Sequence, residues 1–417
     1  MQTRIKKDNQ NLLTETHILK SPELLNLCHK GKDLYNATLY QIRQSFCKDE
    51  EHRSEAKMLF YKDTYALMKS TEQFKELPAV VSQQILMQLD KNFKSYFKSI
   101  KDWKKNKSKY LGMPKLPKYK VKNGFATLTI PGQAFRTLKN GLIIPKSNVK
   151  INVTDKITKE TIKSVRVVPL NKESVKVEIS YESKINDLNL NKENWFGVDL
   201  GVNNLAALVS NTPEPIVKII NGKPLKSINQ FYNKKRAKLK SELDITNKKK
   251  SSKRLRKLEL KRQNKINDYL HKTSKKVIEL CIEHNIGSIV IGHNKEWKQD
   301  ISLGKRNNQT FVNIPFNKLI QNITYKGKLV GIEVVTIEES YTSKTDHLMN
   351  EPMQHNDIPS GKRIRRGLFL SSNGKVINAD INGSVGMLRK KKVVSESWLN
   401  MIGNRGEVYS PHKITLY

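Results

Sequence analysis

The chain has 417 residues, with 77 Lys or Arg against 39 Asp or Glu, a formal net charge of +38 and a pI near 9.9. That length can bury the cores of roughly two or three domains, and that charge points to a polyanionic partner. No apolar run approaches the ~20 residues that cross a bilayer, the start Met1-Gln-Thr-Arg-Ile-Lys-Lys-Asp8 is too polar for a signal peptide, and aromatics at 7% make a stacking platform a minor feature.

Residues 3–19 read as one opening strand. From Pro22 the pattern is helical, with Leu24, Leu25, Leu27, Leu34, Tyr35, Leu39 and Ile42 falling on a three- and four-residue repeat. Residues 58–68 continue it, and a further helix starts at Pro78, with Lys91, Lys94, Lys98, Lys101, Lys104 and Lys105 along its second half. Those lysines form a solvated face or one turned to phosphates. Gly112-Met-Pro-Lys115-Leu-Pro-Lys118-Tyr-Lys120 breaks the helix, because two prolines hold the backbone extended. Short strand-like runs follow at 125–130, 141–144, 149–153, 161–168 and 174–180, spaced as in a small antiparallel barrel. Residues 187–194 are a polar linker.

Asn194-Trp-Phe-Gly-Val-Asp199-Leu-Gly-Val-Asn-Asn-Leu-Ala-Ala-Leu208 alternates like a strand, turns at Gly201 and Asn203-Asn204, and returns. An Asp within such a strand is costly to bury unless it is hydrogen-bonded to the turn or binds a metal. Segment 227–276 is very basic and reads as a helical hairpin broken near Thr246-Asn247. Its cations include Lys234, Lys235, Arg236, Lys249, Lys253, Arg254, Arg256, Lys261 and Arg262, which repel one another without counter-charge and so predict contact with nucleic acid. Residues 287–291 are a buried strand, 315–328 a helix and 331–339 another strand. Gly361-Lys-Arg363-Ile-Arg365 is a basic turn, and Asp380 lies where a strand enters the last helix. The tail from 391 is basic, and 403–411 reads as irregular.

Asp199, the Glu338-Glu339 pair and Asp380 each sit among apolar anchors. Carboxylates that converge in this way can hold two Mg²⁺ or Mn²⁺ ions, because hard cations prefer oxygen ligands. The three cysteines, Cys28, Cys47 and Cys281, are scattered and offer neither a disulfide framework nor a four-cysteine zinc site. A reducing cytoplasm is the expected compartment, at the nucleoid in a prokaryote.

Gly197-Val-Asp199-Leu-Gly-Val-Asn-Asn-Leu-Ala, Tyr341-Thr-Ser-Lys344 and Asn378-Ala-Asp380-Ile-Asn-Gly-Ser, in that order, resemble the RuvC-type nuclease core of the TnpB/OrfB family of insertion-sequence proteins. The resemblance extends to the 112–119 motif, the basic segment and Gly304-Lys305-Arg306-Asn-Asn-Gln309. It implies an α/β multidomain chain. A wedge-like β-barrel (1–20 and 112–190) would be interrupted by a helical recognition insertion (21–111). An RNase H-like, RuvC-type nuclease domain (191–390) would include the basic hairpin, and a basic tail (391–417) would follow. It also implies RNA-guided, metal-dependent cleavage of double-stranded DNA, with a guide RNA from the element's end, no membrane partner, and Asp199, Glu339 and Asp380 as ligands of two Mg²⁺ or Mn²⁺ ions. Lys115, Lys118, Lys120, Lys305, Arg306, Arg363 and Arg365 join the hairpin cations as nucleic-acid contacts.

Two features depart from the family. Where it usually carries a Glu directly after the 289–291 strand, this chain has Gly292. A rearranged subgroup places the Glu just before Tyr-Thr-Ser, which selects Glu339 over Glu338 and Glu296. The family's frequent four-cysteine zinc knuckle is missing, since His347 and His355 cannot build it alone, and no zinc is expected. Three alternative readings stay open: a cleavage-dead guided repressor, an unguided DNA-binding regulator of transposition, and a structural RNA-binding protein.

Overall fold

In the computed structural model, residues 10–48, 52–138, 141–246, 251–293, 314–339, 342, 344–354, 360–365 and 367–416 are described. The chain divides into two compact units, Met1–Lys184 and Ile185–Tyr417. No helix among the described residues is long and apolar enough to cross a membrane.

The first unit begins with strand β1 (Gln10–Leu19) and helices α1 (Pro22–Phe46), α2 (Tyr61–Met68), α3 (Glu72–Lys75) and α4 (Ala79–Lys105). Strands β2 (Leu128–Pro131), β3 (Arg136–Leu138), β4 (Gly141–Ile143), β5 (Lys150–Asn152), β6 (Ile162–Pro169) and β7 (Val175–Lys184) follow. Ser21 caps α1 by accepting the Leu24 N–H at 3.2 Å, and Pro22 opens the first turn, where its missing N–H costs nothing. The expected barrel strands pair as two antiparallel sheets, β1-β7-β6-β2 and β3-β4-β5. Thus α1–α4 are inserted between β1 and the strands beside which it lies. Helices and strands nevertheless share one core, in which Leu24, Leu39, Phe93, Val165, Val177 and Ile179 are fully buried. The 112–120 stretch forms no ladder. Side chains of α1 hold it: Asn36 exchanges two 2.9 Å bonds with the Lys120 backbone, and Arg43 donates to the Pro117 carbonyl at 2.6 Å.

The second unit is built on a mixed sheet. Its strands are β8 (Trp195–Asp199), β9 (Asn204–Ser210), β10 (Val217–Asn221), β11 (Ser288–Gly292), β12 (Glu333–Ile337) and, last in the chain, β16 (His412–Ile414). The order is β12-β11-β8-β9-β10-β16. Strands β8, β9 and β10 run antiparallel, while β11 is parallel to both β8 and β12. Period-2 alternation divides the side chains between two faces. Phe196, Val198, Ile289 and Ile291 pack under α6 (Lys253–Glu283) and α7 (Phe316–Leu329). Trp195, Val209, Ile219 and Val290 pack on the other face, under α8 (Ala379–Lys391) and α9 (Glu396–Ile402). Helix α5 (Lys223–Thr246) precedes α6, and the expected break falls between them. Strands β13 (Lys362–Arg365), β14 (Leu368–Leu370) and β15 (Val376–Asn378) form a small sheet leading into α8.

Two expectations are corrected. The tail is not an irregular appendage: α9, α10 (Gly406–Tyr409) and β16 belong to the second unit, with Trp398, Leu399, Ile402 and Val408 buried in its core. Three-residue β16 is too short to show a period, so only pairing with β10 defines it. The strand expected over 331–339 ends at Ile337, leaving both glutamates beyond it.

Candidate active site

Asp199 is the last residue of β8 and faces α8. The close approach of α8 is set by Gly197, where any Cβ would collide with the Ser384 carbonyl oxygen and stand 2.8 Å from Leu388 Cγ. The same helix passes the carboxylate through Gly383, whose Cβ would lie 3.0 Å from Asp199 Oδ2. Ser384 Oγ donates to the Ala207 carbonyl at 2.9 Å, fastening α8 to β9. Asn378 caps α8, accepting the Asp380 N–H at 3.0 Å, so Asp380 sits in the first turn, where the helix dipole favours its charge. Asn204, the first residue of β9, donates to Asp380 Oδ2 at 2.6 Å.

Glu339 enters from beyond β12. A Cβ built on Gly292 would stand 2.5 Å from both Glu339 Cγ and Glu339 Oε1, and 2.8 Å from Met387 Sδ. The glutamate side chain therefore occupies the space that any side chain at 292 would need. Glu338 is exposed, and its backbone carbonyl accepts from Lys390 Nζ at 2.7 Å. Alternation explains the choice even though the strand stops short: Val335 and Ile337 pack on the α8 side, and Glu339 keeps their parity.

Asp199 senses both of the other carboxylates. Part of Asp199 still touches solvent. Yet dense surroundings push its carboxyl well above the usual carboxylate range, and Asp380 and Glu339 push it further, against the pull of Arg363. Burial raises Glu339 to about 7, against the pull of Lys390. Among the described residues, however, no three His, Cys, Asp or Glu side chains stand close enough to hold a metal ion as they are placed. The donor set still suits a hard divalent cation. Every candidate atom is oxygen, and Asn204, only 9% exposed, has its Oδ1 buried without a hydrogen-bond partner beside Asp380.

Sequence reasoning assigned Asn204 only turn chemistry and saw Gly292 only as a missing glutamate. A polar residue opening a fully buried strand was the available signal for the first. Arg363, expected as a nucleic-acid contact, lies on exposed β13 within electrostatic reach of Asp199, and Arg365 is exposed on the same strand. Lys115, Lys118, Lys234, Lys235, Arg236, Lys253, Arg254, Arg256 and Lys261 are exposed. Lys120 lies over the Tyr35 ring at 4.7 Å. Lys249, Lys305, Arg306, Glu296 and His355 fall outside the described residues.

A polar cluster occupies the stretch where the family often carries its zinc knuckle. Asp346 Oδ2 accepts from Ser371 Oγ and the Ser372 N–H, both at 2.7 Å. Fully buried His347 donates from Nε2 to the Thr342 carbonyl at 2.9 Å and accepts at Nδ1 from Arg389 of α8 at 2.8 Å. Burial and the neighbouring Arg389 lower its pKa to about 4, so the ring is neutral.

Residues 175–298 match the family model OrfB_IS605, described as probable transposase, and residues 316–387 match the Cas12f1-like TNB domain. The TnpB/OrfB resemblance carried by the motifs is the one these family models return. Among solved structures, the chain is similar to the Cas12f1-sgRNA-target DNA complex, at 13% identity and a TM-score of 0.47, over 90% of this chain and 98% of that one. It is likewise similar to the mini-RNA-guided endonuclease CRISPR-Cas_phi3, at 10% identity and a TM-score of 0.47, over 91% and 92%. No curated protein matches the chain.

Proposed function

We propose that the chain is an RNA-guided, divalent-metal-dependent DNA endonuclease of an insertion sequence, with Asp199, Glu339 and Asp380 as its metal carboxylates. The occupation of the Gly292 space by Glu339 carries the reading, because it supplies from just beyond β12 a carboxylate at the position where the related proteins usually have one. The six-stranded mixed sheet between helical layers supports an RNase H-like, RuvC-type domain. In the N-terminal unit, the two sheets with their inserted helices serve as the wedge-like barrel and recognition insertion.

Bound Mg²⁺ or Mn²⁺, as one or two ions, would supply Lewis-acid stabilisation and a water acidic enough to act as nucleophile near neutral pH. The chain's own residues prepare the site. Asn204 fixes one oxygen of Asp380. Gly383 lets the Asp199 carboxylate lie against α8, where burial first and the neighbouring carboxylates second disfavour its ionised form until positive charge is supplied. Arg363 faces the phosphodiester from β13. Guide pairing reads the target sequence, while Lys115, Lys118, Lys120 and the exposed cations of α5 and α6 hold the phosphates of guide and DNA.

The test is cleavage of plasmids bearing a guide-matched target beside a randomised flank, using protein purified with its RNA, in Mg²⁺ or EDTA. Cutting that needs metal, the guide match and Asp199 establishes the activity. An Asp199→Ala protein that cuts at the wild-type rate would refute the site.

A further inference from the structure

We infer that the groove between α5 and α6 receives one unpaired nucleobase of a single-stranded nucleic acid, whose flanking phosphates rest on Lys261 and Lys265. This rests on the chain handling nucleic acid, but not on the three carboxylates. The groove encloses about 310 Å³, at the lower end of the ~300–1,000 Å³ typical of ligand pockets. Ile228 and Tyr232 on α5 face Leu258 on α6 and give it an apolar floor. Phe231 stands at its mouth, 60% exposed although large and apolar. Among the described residues, its lining includes no acidic side chain.

Arg262 is already pinned there. Its Cζ lies 4.8 Å above the Tyr232 ring, and its Nε donates at 2.7 Å to Asn229, which is 2% exposed. A guanidinium held in this way presents a second π surface without the entropy cost of ordering a free arginine. A slot with an aromatic wall, an apolar floor and a cationic rim matches a base and its phosphates. A second copy of this chain, at +38, is repelled by the hairpin's cations. A base within a duplex keeps its faces stacked on its neighbours and cannot enter.

The experiment is fluorescence anisotropy on the full chain with four probes: a single-stranded RNA, the same sequence as DNA, a strand of abasic spacers and a duplex. Phe231→Ala is expected to bind the single strands about tenfold or more weakly. Its affinity for the abasic strand and the duplex should match wild type, with an unchanged salt slope, since no charge is lost. Phe231→Trp should restore binding. A loss confined to RNA or to DNA identifies the strand that supplies the base. Wild-type affinity of Phe231→Ala for every probe overturns the pocket, as does an equal loss on all four with a lowered melting temperature. If wild type binds the probes and Phe231→Ala changes nothing, the pocket alone falls. If wild type binds none of them, the nuclease reading falls with it.

Discussion

Gly292 and Glu339 compete for the same few cubic ångströms, and that makes the glycine testable. In Gly292→Ala the new methyl would meet Glu339 Cγ and Oε1 at 2.5 Å. Carboxylate displacement should cost metal-dependent cleavage at least about tenfold, since misplacing a catalytic group by ~1 Å is worth more than that. The protein should still fold, because Glu339 lies beyond the end of β12 and can swing outward. Asn204 makes a second residue-scale case. Removing its side chain frees Asp380 and deletes the buried amide oxygen beside it. Asn204→Ala should weaken Mn²⁺ binding by about tenfold, a typical loss for an orienting partner, and Asn204→Asp, which has no N–H to give Asp380, should not restore it. Electron paramagnetic resonance of free Mn²⁺ reads this without any cleavage assay.

At the scale of elements, α8 is the part on which the site depends. It is fastened to β9 through Ser384 and to the 342–351 stretch through Arg389 and His347. The His347 fastening has a pH signature. The ring titrates near 4 when folded and near its ordinary value of about 6.5 when unfolded. Unfolding therefore takes up a proton between those values. Stability should be fully present above pH ~6.5 and fall as acid moves the solution towards pH ~4. Thermal melts across this window should show the fall in wild type and a smaller one in His347→Gln. Asp346→Ala should cost about 1–3 kcal/mol, by leaving the buried Ser371 hydroxyl and its neighbours without their acceptor. Much of this architecture was legible in the sequence. The apolar stripe of α1, the alternation of β8 and the break between α5 and α6 are local patterns, and local patterns survive in one chain. What was hidden depended on distant partners. Strand β16 exists through its pairing with β10, and the β2–β7 runs sort into two sheets through ladders that no period encodes. Glu339 was singled out by its place just before Tyr-Thr-Ser, as the family resemblance implies, and not by any pattern local to its strand.

For the whole molecule, charge and topology set the behaviour. With +38 spread over both units, binding to nucleic acid should fall by about a thousandfold or more between 50 and 200 mM salt if six to ten phosphates are engaged. Anisotropy titrations at several salt concentrations give the slope, and a flat dependence would exclude a phosphate-led interface. The strand order also has a temporal consequence. In the first unit, β1 pairs along its whole length with β7, Gln10 opposite Lys184. The ribosome must therefore release almost the entire unit before its opening strand finds a neighbour. In the second, β8 bears Asp199 early, yet the helix carrying Asp380 is made much later, and β16 adds the sheet's edge after that. Such long-range closure slows folding. It also means that a nascent chain, already strongly basic, has no assembled carboxylate site until the residues beyond Asp380 have been made.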